Sequence, residues 1–307
     1  MITKLGIFVI VAILTGFNLI ACGNAENSAS KKGNSIADGF DEPKVVGRIS
    51  SEYISESSGL VFSKCNNGVL WTHNDSGNSN EIFALNTEGK FLGRWQVTNS
   101  TNIDWEDIAT KKTGEKCFLL IGDFGGNAAP RNDFVIFKVA EPKVSPADAK
   151  QGTLSRTEPA SKLVFKYPDK NQDAEALVVN PNTNALYIIT KNLNDSAVVY
   201  KITGEKPFET AEKLYAINLP ALPKGSVTGG DVAPDGKHLV LTDYFLAYEY
   251  VLPERENDFE KIFTQSPNPI EIGERKQGEA IAYSLNGNSI LVTSEGHNSP
   301  LIRVDRH

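Results

Sequence analysis

A short apolar pattern that recurs five times, Asn- and Gly-rich turns inside its copies, and an unpartnered strand near the front of the chain predict an all-β fold. The expected architecture is a five-bladed β-propeller closed by that amino-terminal strand, because four-stranded units repeating every 40 to 50 residues or so are the mark of radial blades. No window shows sustained i, i+3, i+4, i+7 apolar spacing with caps, so helices are not expected to contribute.

Each copy carries a small or acidic pair, two apolar residues, a turn, then an apolar strand that ends in polar residues. Copy one is Ser58-Gly59-Leu60-Val61 followed by Val69-Leu70-Trp71-Thr72-His73-Asn74-Asp75. Copy two is Glu106-Asp107-Ile108-Ala109 with Phe118-Leu119-Leu120-Ile121-Gly122-Asp123. Copy three is Glu175-Ala176-Leu177-Val178 with Leu186-Tyr187-Ile188-Ile189-Thr190-Lys191. Copy four is Gly230-Asp231-Val232-Ala233 with Leu239-Val240-Leu241-Thr242-Asp243. Copy five is Glu279-Ala280-Ile281-Ala282 with Ile290-Leu291-Val292-Thr293-Ser294-Glu295. The copies begin at 58, 106, 175, 230 and 279, so successive starts lie 48, 69, 55 and 49 residues apart.

The turns inside the copies, such as Asn66-Asn67-Gly68 and Pro234-Asp235-Gly236-Lys237, supply residues that tolerate positive φ in hairpins. A third strand is expected at 81–85, 134–139, 198–202, 247–252 and 301–304, and a fourth at 91–97, 163–167, 213–219 and 261–263. The long second unit places its excess in a Pro-, Ala- and Ser-rich loop at 142–160. The fifth copy runs out of chain after three strands. The orphan strand at 45–49 would complete it and remove an open edge. The alternatives are six blades, with the second unit split, or a two-sheet sandwich, which leaves the repeat unexplained.

The composition fits this frame. The chain has 307 residues, 40% hydrophobic and 22% charged, enough for one large domain. Its net charge of −7 argues against nucleic acid as a partner, since no basic surplus exists to displace phosphate counterions. Walker, GxSxG, CxxC and HExxH motifs do not occur in the mature chain, which removes several enzyme classes.

The front of the chain reads as an address. Lys4 precedes an apolar run at 5–20, and Leu19-Ile20-Ala21-Cys22 follows. Such a run reads as a secretory signal, and its end at cysteine resembles a bacterial lipobox; the alternative is a plain transmembrane anchor. The resemblance implies removal of residues 1–21, lipidation of Cys22 including palmitate-type acyl chains, and a membrane anchor. Residues 22–43 are then a lipidated, flexible tether, and 44–307 the propeller domain. The expected location is the cell envelope, with Gly23 after the cysteine favouring an outer membrane where one exists. A monomer is expected. Cys65 and Cys117 remain. In an oxidising compartment they form a disulfide or stay as two partly buried thiols.

Blade geometry says which residues meet. The loop entering a blade's first strand and the loop joining strands two and three lie on one face. That face should gather Glu106, Glu175, Asp231 and Glu279, together with Asn74, Asp75, Asp123, Lys191, Asp243 and Glu295. Crowded carboxylates need shared protons, a lysine or a cation to offset their repulsion. Their hard oxygens suit Ca²⁺, so Glu106, Glu175, Asp231 and Glu279 are the expected metal ligands and the others candidate ligand-binding residues. His73 and His297 end matching segments of neighbouring blades and are candidate general acid and base. The bland reading is that polar starts of inner strands merely cap a wet channel, and that the histidines are loop residues. Trp71 and Trp105 read as core.

Three stretches, Trp71-Thr72-His73-Asn74-Asp75-Ser76-Gly77, Asp104-Trp105-Glu106-Asp107-Ile108-Ala109 and Gly122-Asp123-Phe124-Gly125-Gly126-Asn127, resemble a group of poorly characterised bacterial secreted and lipoprotein propellers. In position, the inner acids are also similar to calcium-bearing propeller hydrolases: the gluconolactonase and paraoxonase-like group, calcium-dependent apyrases and phytase-like esterases. That likeness implies an axial Ca²⁺ that polarises an ester, lactone or phosphoester. The sequence alone also admits a non-catalytic module that holds a small molecule, glycan or protein at the mouth.

Overall fold

The computed structural model describes residues 39–126, 131, 134–150, 153–204, 206–221 and 223–307. The apolar run at 5–20, Cys22 and Asn127 lie outside the described residues. The first strand, β1 (Lys44–Arg48), stands apart from the sheets that follow it in sequence. Blade one is β2 (Ser57–Phe62), β3 (Val69–Asn74), β4 (Glu81–Asn86) and β5 (Phe91–Gln96). Blade two is β6 (Trp105–Thr113), β7 (Lys116–Asp123) and β8 (Phe134–Ala140), then, after a short β9 (Ser155–Arg156), β10 (Ser161–Lys166). Blade three is β11 (Ala174–Val179), β12 (Leu186–Thr190) and β13 (Ala197–Ile202), then, after β14 (Phe208–Thr210), β15 (Glu212–Ile217). Blade four is β16 (Gly229–Val232), β17 (His238–Thr242), β18 (Leu246–Val251) and β19 (Asn268–Glu271). Blade five is β20 (Gly278–Tyr283), β21 (Ser289–Ser294) and β22 (Pro300–Asp305).

The ring closes as the sequence predicts. β1 is the outer strand of blade five, in the order β1-β22-β21-β20, with Lys44 opposite Arg303 and Arg48 opposite Pro300. The pairing starts earlier than Lys44: Phe40 bridges Arg306, and Asp41 N donates to Asp305 O at 2.8 Å. The last residues before position 44 therefore belong to blade five rather than to a free tether. Around the axis, β2 packs on β6, β6 on β11, β11 on β16, β16 on β20, and β20 back on β2.

Two short strands lace adjacent blades. β9, inside the loop at 142–160, pairs parallel to β5 of blade one, and β14 pairs parallel to β10 of blade two. Each covers an outer edge that would otherwise present unpaired backbone groups. The strand expected at 261–263 is instead a 3₁₀ helix, Phe259–Thr264, and the fourth strand of blade four is β19. The side chain of Asp258 accepts from Glu260 N, and Phe259, Ile262 and Phe263 turn into the core at the i, i+3 spacing of that helix.

The core lies between blades. Trp71 and Trp105 are fully buried, and each spends its indole N–H, Trp71 on Glu141 Oε1 at 3.0 Å and Trp105 on Thr101 O at 2.8 Å. On the far face a disulfide joins Cys65, in the first turn of blade one, to Cys117 of β7, with Cα atoms 6.1 Å apart. A cavity of about 630 Å³ opens on that face between blades one and five, lined among others by Asn67, Glu88, Leu285 and Arg303. The acids of the opposite face are not among its lining residues.

A carboxylate mouth built by β-bulges

In four of the five inner strands the pairing with the second strand slips near the strand start. The irregularities fall at Ser57/Leu60, Trp105/Asp107, Ala174/Ala176 and Gly278/Ile281. A bulge inserts an extra residue and re-aims its side chain. The residues caught in these slips are Ser58, Glu106, Glu175 and Glu279, all buried. β16 of blade four pairs without a slip and carries Gly230 at the equivalent place.

That regularity corrects the placement of Asp231. It is not grouped with the mouth acids. Its Oδ1 accepts from Val232 N at 2.8 Å, and its Oδ2 accepts from Tyr283 N of blade five at 2.9 Å. Asp107 does the same one blade pair earlier: Oδ1 accepts from Ile108 N and Oδ2 from Leu177 N of blade three, each at 2.8 Å. Asp107 and Asp231 are clamps between inner strands. Their lone pairs serve the fold, and Lys64 lines the same cleft as Asp231.

The mouth holds a different set. Asp75, Asp104 and Glu106 offer carboxylate oxygens all within 4.8 Å of one another, and so do Glu106, Asp173 and Glu175. Glu106 is common to both groups. It is 2% exposed, and its Oε1 makes no hydrogen bond among the described residues. Asp104 and Asp173 precede the first strand of their blades and are not among the expected site residues, although each stands two residues before its blade's glutamate, a spacing that Glu56 and Ser58 repeat in blade one. Glycine makes room for them: a Cβ on Gly125 would stand 1.9 Å from Glu106 Oε1, and Gly126 N donates to Asp173 Oδ1 at 2.7 Å.

Burial and mutual repulsion hold these groups toward the protonated form. Burial, then Glu175, Asp75, Asp104 and Glu279, push Glu106 well above the usual carboxylate range. Burial pushes Asp75 up to about 6 and raises Asp173. Glu175 reaches about 7 because burial outweighs Lys191, whose Nζ lies 2.6 Å from its Oε1. Burial pulls the Lys191 ammonium down, yet Glu175 outweighs that and holds it above its ordinary value. Glu279 and Glu295 bond each other and are pushed, mainly by burial, to about 7 and about 8. As a bonded pair they titrate together.

The remaining expected site residues divide. Asp123 stands near the mouth: its Oδ1 accepts from Arg131 NH1 at 2.7 Å and from Asp104 N at 3.0 Å, while Oδ2 is buried without a partner among the described residues. Asn74 is used up by the fold. Its Oδ1 accepts from Ser55 N and Glu56 N, and its Nδ2 donates to Tyr53 O. Asp243 is likewise spent on Phe245 N, Leu246 N and Tyr248 OH.

The two histidines do not form a pair. His73 is 0% exposed, sits edge-on to Trp105 at 5.6 Å, and bonds Asn74 O through Nδ1 at 3.0 Å. Burial lowers it to about 4, so it stays neutral at physiological pH. His297 is exposed at the surface of its loop. Lining two adjacent blades in sequence did not bring the rings together, because β3 turns the His73 side chain inward between blades.

No protein-family model matches this chain, and no curated protein matches it. Among solved structures it is similar to the PQQ-bound form of an aldose sugar dehydrogenase from Streptomyces coelicolor, at 9% identity and a TM-score of 0.45, covering 87% of this chain and 98% of that one. It is also similar to a gluconolactonase from Xanthomonas campestris, at 10% identity and a TM-score of 0.48, covering 86% and 89%. At these values neither likeness carries an argument about chemistry, which rests on the residues above.

Proposed function

We propose that the mouth holds a divalent cation, Ca²⁺ by its donor chemistry, on Asp75, Asp104 and Glu106, and that the loaded site hydrolyses an ester, lactone or phosphoester. The observation that carries this reading is the Glu106 carboxylate, buried with acids on both sides and with Oε1 unbonded among the described residues. Such an arrangement is costly for the protein alone and favourable around a cation. The donors are carboxylate oxygens, which suit Ca²⁺ over metals that prefer nitrogen and sulfur.

A bound cation would polarise the scissile oxygen and acidify a coordinated water. The chain's own groups supply the rest. The Glu279–Glu295 pair, titrating near 7 to 8, is the proton store that can take a proton from water and return it to the leaving group. Lys191 holds Glu175 in place and offsets part of the negative field. His73 is too enclosed to serve as base. That enclosure is the observation favouring a second reading, a module that binds its ligand at the mouth without chemistry.

The experiment is a Ca²⁺ titration by calorimetry, with thermal melts in Ca²⁺ and in chelator, on the wild type and Glu106→Gln. The reading expects binding and a raised midpoint that E106Q abolishes. No heat and no shift would sink it. Aryl ester, sugar lactone and aryl phosphate assays on the loaded protein then separate hydrolase from binding module.

We further infer that Cys22 is lipidated and tethers the propeller to a cell-envelope membrane. Mass spectrometry of the mature amino terminus tests this, and an unmodified Cys22 would overturn it.

A further inference from the structure

We propose that a second, separate pocket on the mouth rim, between blades four and five, seats a neutral sugar ring. The pocket, about 440 Å³, is lined by Tyr244 and Phe245 from the loop after β17 and by Glu271, Ile272, Glu274 and Arg275 ahead of β20. Its size suits one or two rings. None of the mouth carboxylates lines it, so the inference stands without the proposed cation.

Phe245 is 75% exposed, the most exposed of the large apolar side chains among the described residues. Its loop is not loose: Asp243 Oδ1 accepts from Phe245 N at 2.8 Å and from Leu246 N at 2.7 Å, and Asp243 Oδ2 accepts from Tyr248 OH at 2.8 Å. With the backbone beneath it fixed, the aromatic ring stands in water and offers a stacking surface. Beside it, the Arg275 guanidinium is pressed against Gly278, where a Cβ would meet Cζ at 2.4 Å. Arg275 makes one long bond, from NH2 to Asp243 O at 3.4 Å, while Nε and NH1 make none among the described residues. Both of these atoms are buried, so the guanidinium contributes positive charge to the pocket wall rather than free donors.

The signs around the pocket decide the ligand class. An anion would meet Glu271 and Glu274, both exposed, and a cation would meet Arg275. A neutral ring with several hydroxyls meets neither penalty: its hydroxyls donate to the two carboxylates and its C–H face lies on Phe245.

The test uses calorimetry and saturation-transfer NMR with maltotriose, cellotriose and triacetylchitotriose, all in chelator, with inorganic phosphate and tetramethylammonium as charged probes. At least one trisaccharide should bind. Phe245→Ala should weaken it by about tenfold with an unchanged thermal midpoint. Glu106→Gln should leave it intact, which separates this site from the cation reading. Absence of binding by all three, binding unaltered in F245A, or displacement of the sugar by either charged probe would overturn the proposal.

Discussion

Glu106 and Asp107 are neighbours on one inner strand, both buried, and their environments are opposite. Asp107 has its oxygens filled by two backbone N–H groups, one of them from the next blade. Glu106 has an oxygen that makes no hydrogen bond among the described residues, and other acids around it. The bulge at Trp105/Asp107 separates them, sending one side chain to the mouth and the next into the wall. Burial alone therefore does not distinguish a structural carboxylate from a functional one. What distinguishes them is whether the fold itself supplies the hydrogen bonds.

The sharpest way to break this comparison is to remove a clamp. Asp107→Ala leaves N–H groups of two blades without acceptors and should cost about 3 kcal/mol of unfolding free energy, read by denaturant melts. Asp231→Ala should act similarly. A loss of Ca²⁺ response in D231A at a temperature where it remains folded would put Asp231 back among the ligands. Glu106→Gln should do the reverse. It relieves repulsion, so the cation-free protein at pH 8 should melt a few degrees higher than wild type while no longer responding to Ca²⁺.

The pH dependence comes next in size. Glu175 and Glu279 at about 7, and Glu295 at about 8, bind protons more tightly folded than unfolded. Their contribution is full below the unfolded carboxylate value and is lost as pH rises through 7 to 8. Thermal midpoints in chelator should fall from pH 6.5 to 8.5, and saturating Ca²⁺ should flatten that slope. His73, lowered to about 4, acts oppositely: its contribution is lost as pH falls from about 6.5, so the window above that value leaves His73 out, and the part of the slope that Ca²⁺ flattens is the mouth's. The smallest effect is expected of His297→Ala. Its exposed ring should leave both the melt and the Ca²⁺ titration unchanged, and a shifted titration midpoint would extend the site to blade five's loop.

Much of the fold was legible because strand period and turn chemistry are local. The five copies, the hairpin turns and the orphan strand followed from alternating apolar residues and from Asn, Asp and Gly at the bends. The 3₁₀ helix at Phe259–Thr264 was not, since a short Phe-Ile-Phe run suits either a strand or a tight turn, and the Asp258 cap decided between them. In the site, Glu106, Glu175 and Glu279 could be picked out because they recur at one place in the repeat. Asp104 and Asp173 were missed because the repeat is read from the strand start onward, although each stands two residues before its blade's glutamate, as Glu56 stands two before Ser58. Asp231 misled for the opposite reason: it stands one position along in a copy whose glutamate is replaced by Gly230.

The residues by themselves determined a closed ring of antiparallel sheets, and with it the face on which the acids gather. Periodicity sets which side of a strand is apolar, and closure leaves no unpaired edge. Only the tertiary structure decided which carboxylates face one another and which grip backbone. A one-residue slip in pairing reverses the side to which a side chain points, and such slips depend on how neighbouring blades pack.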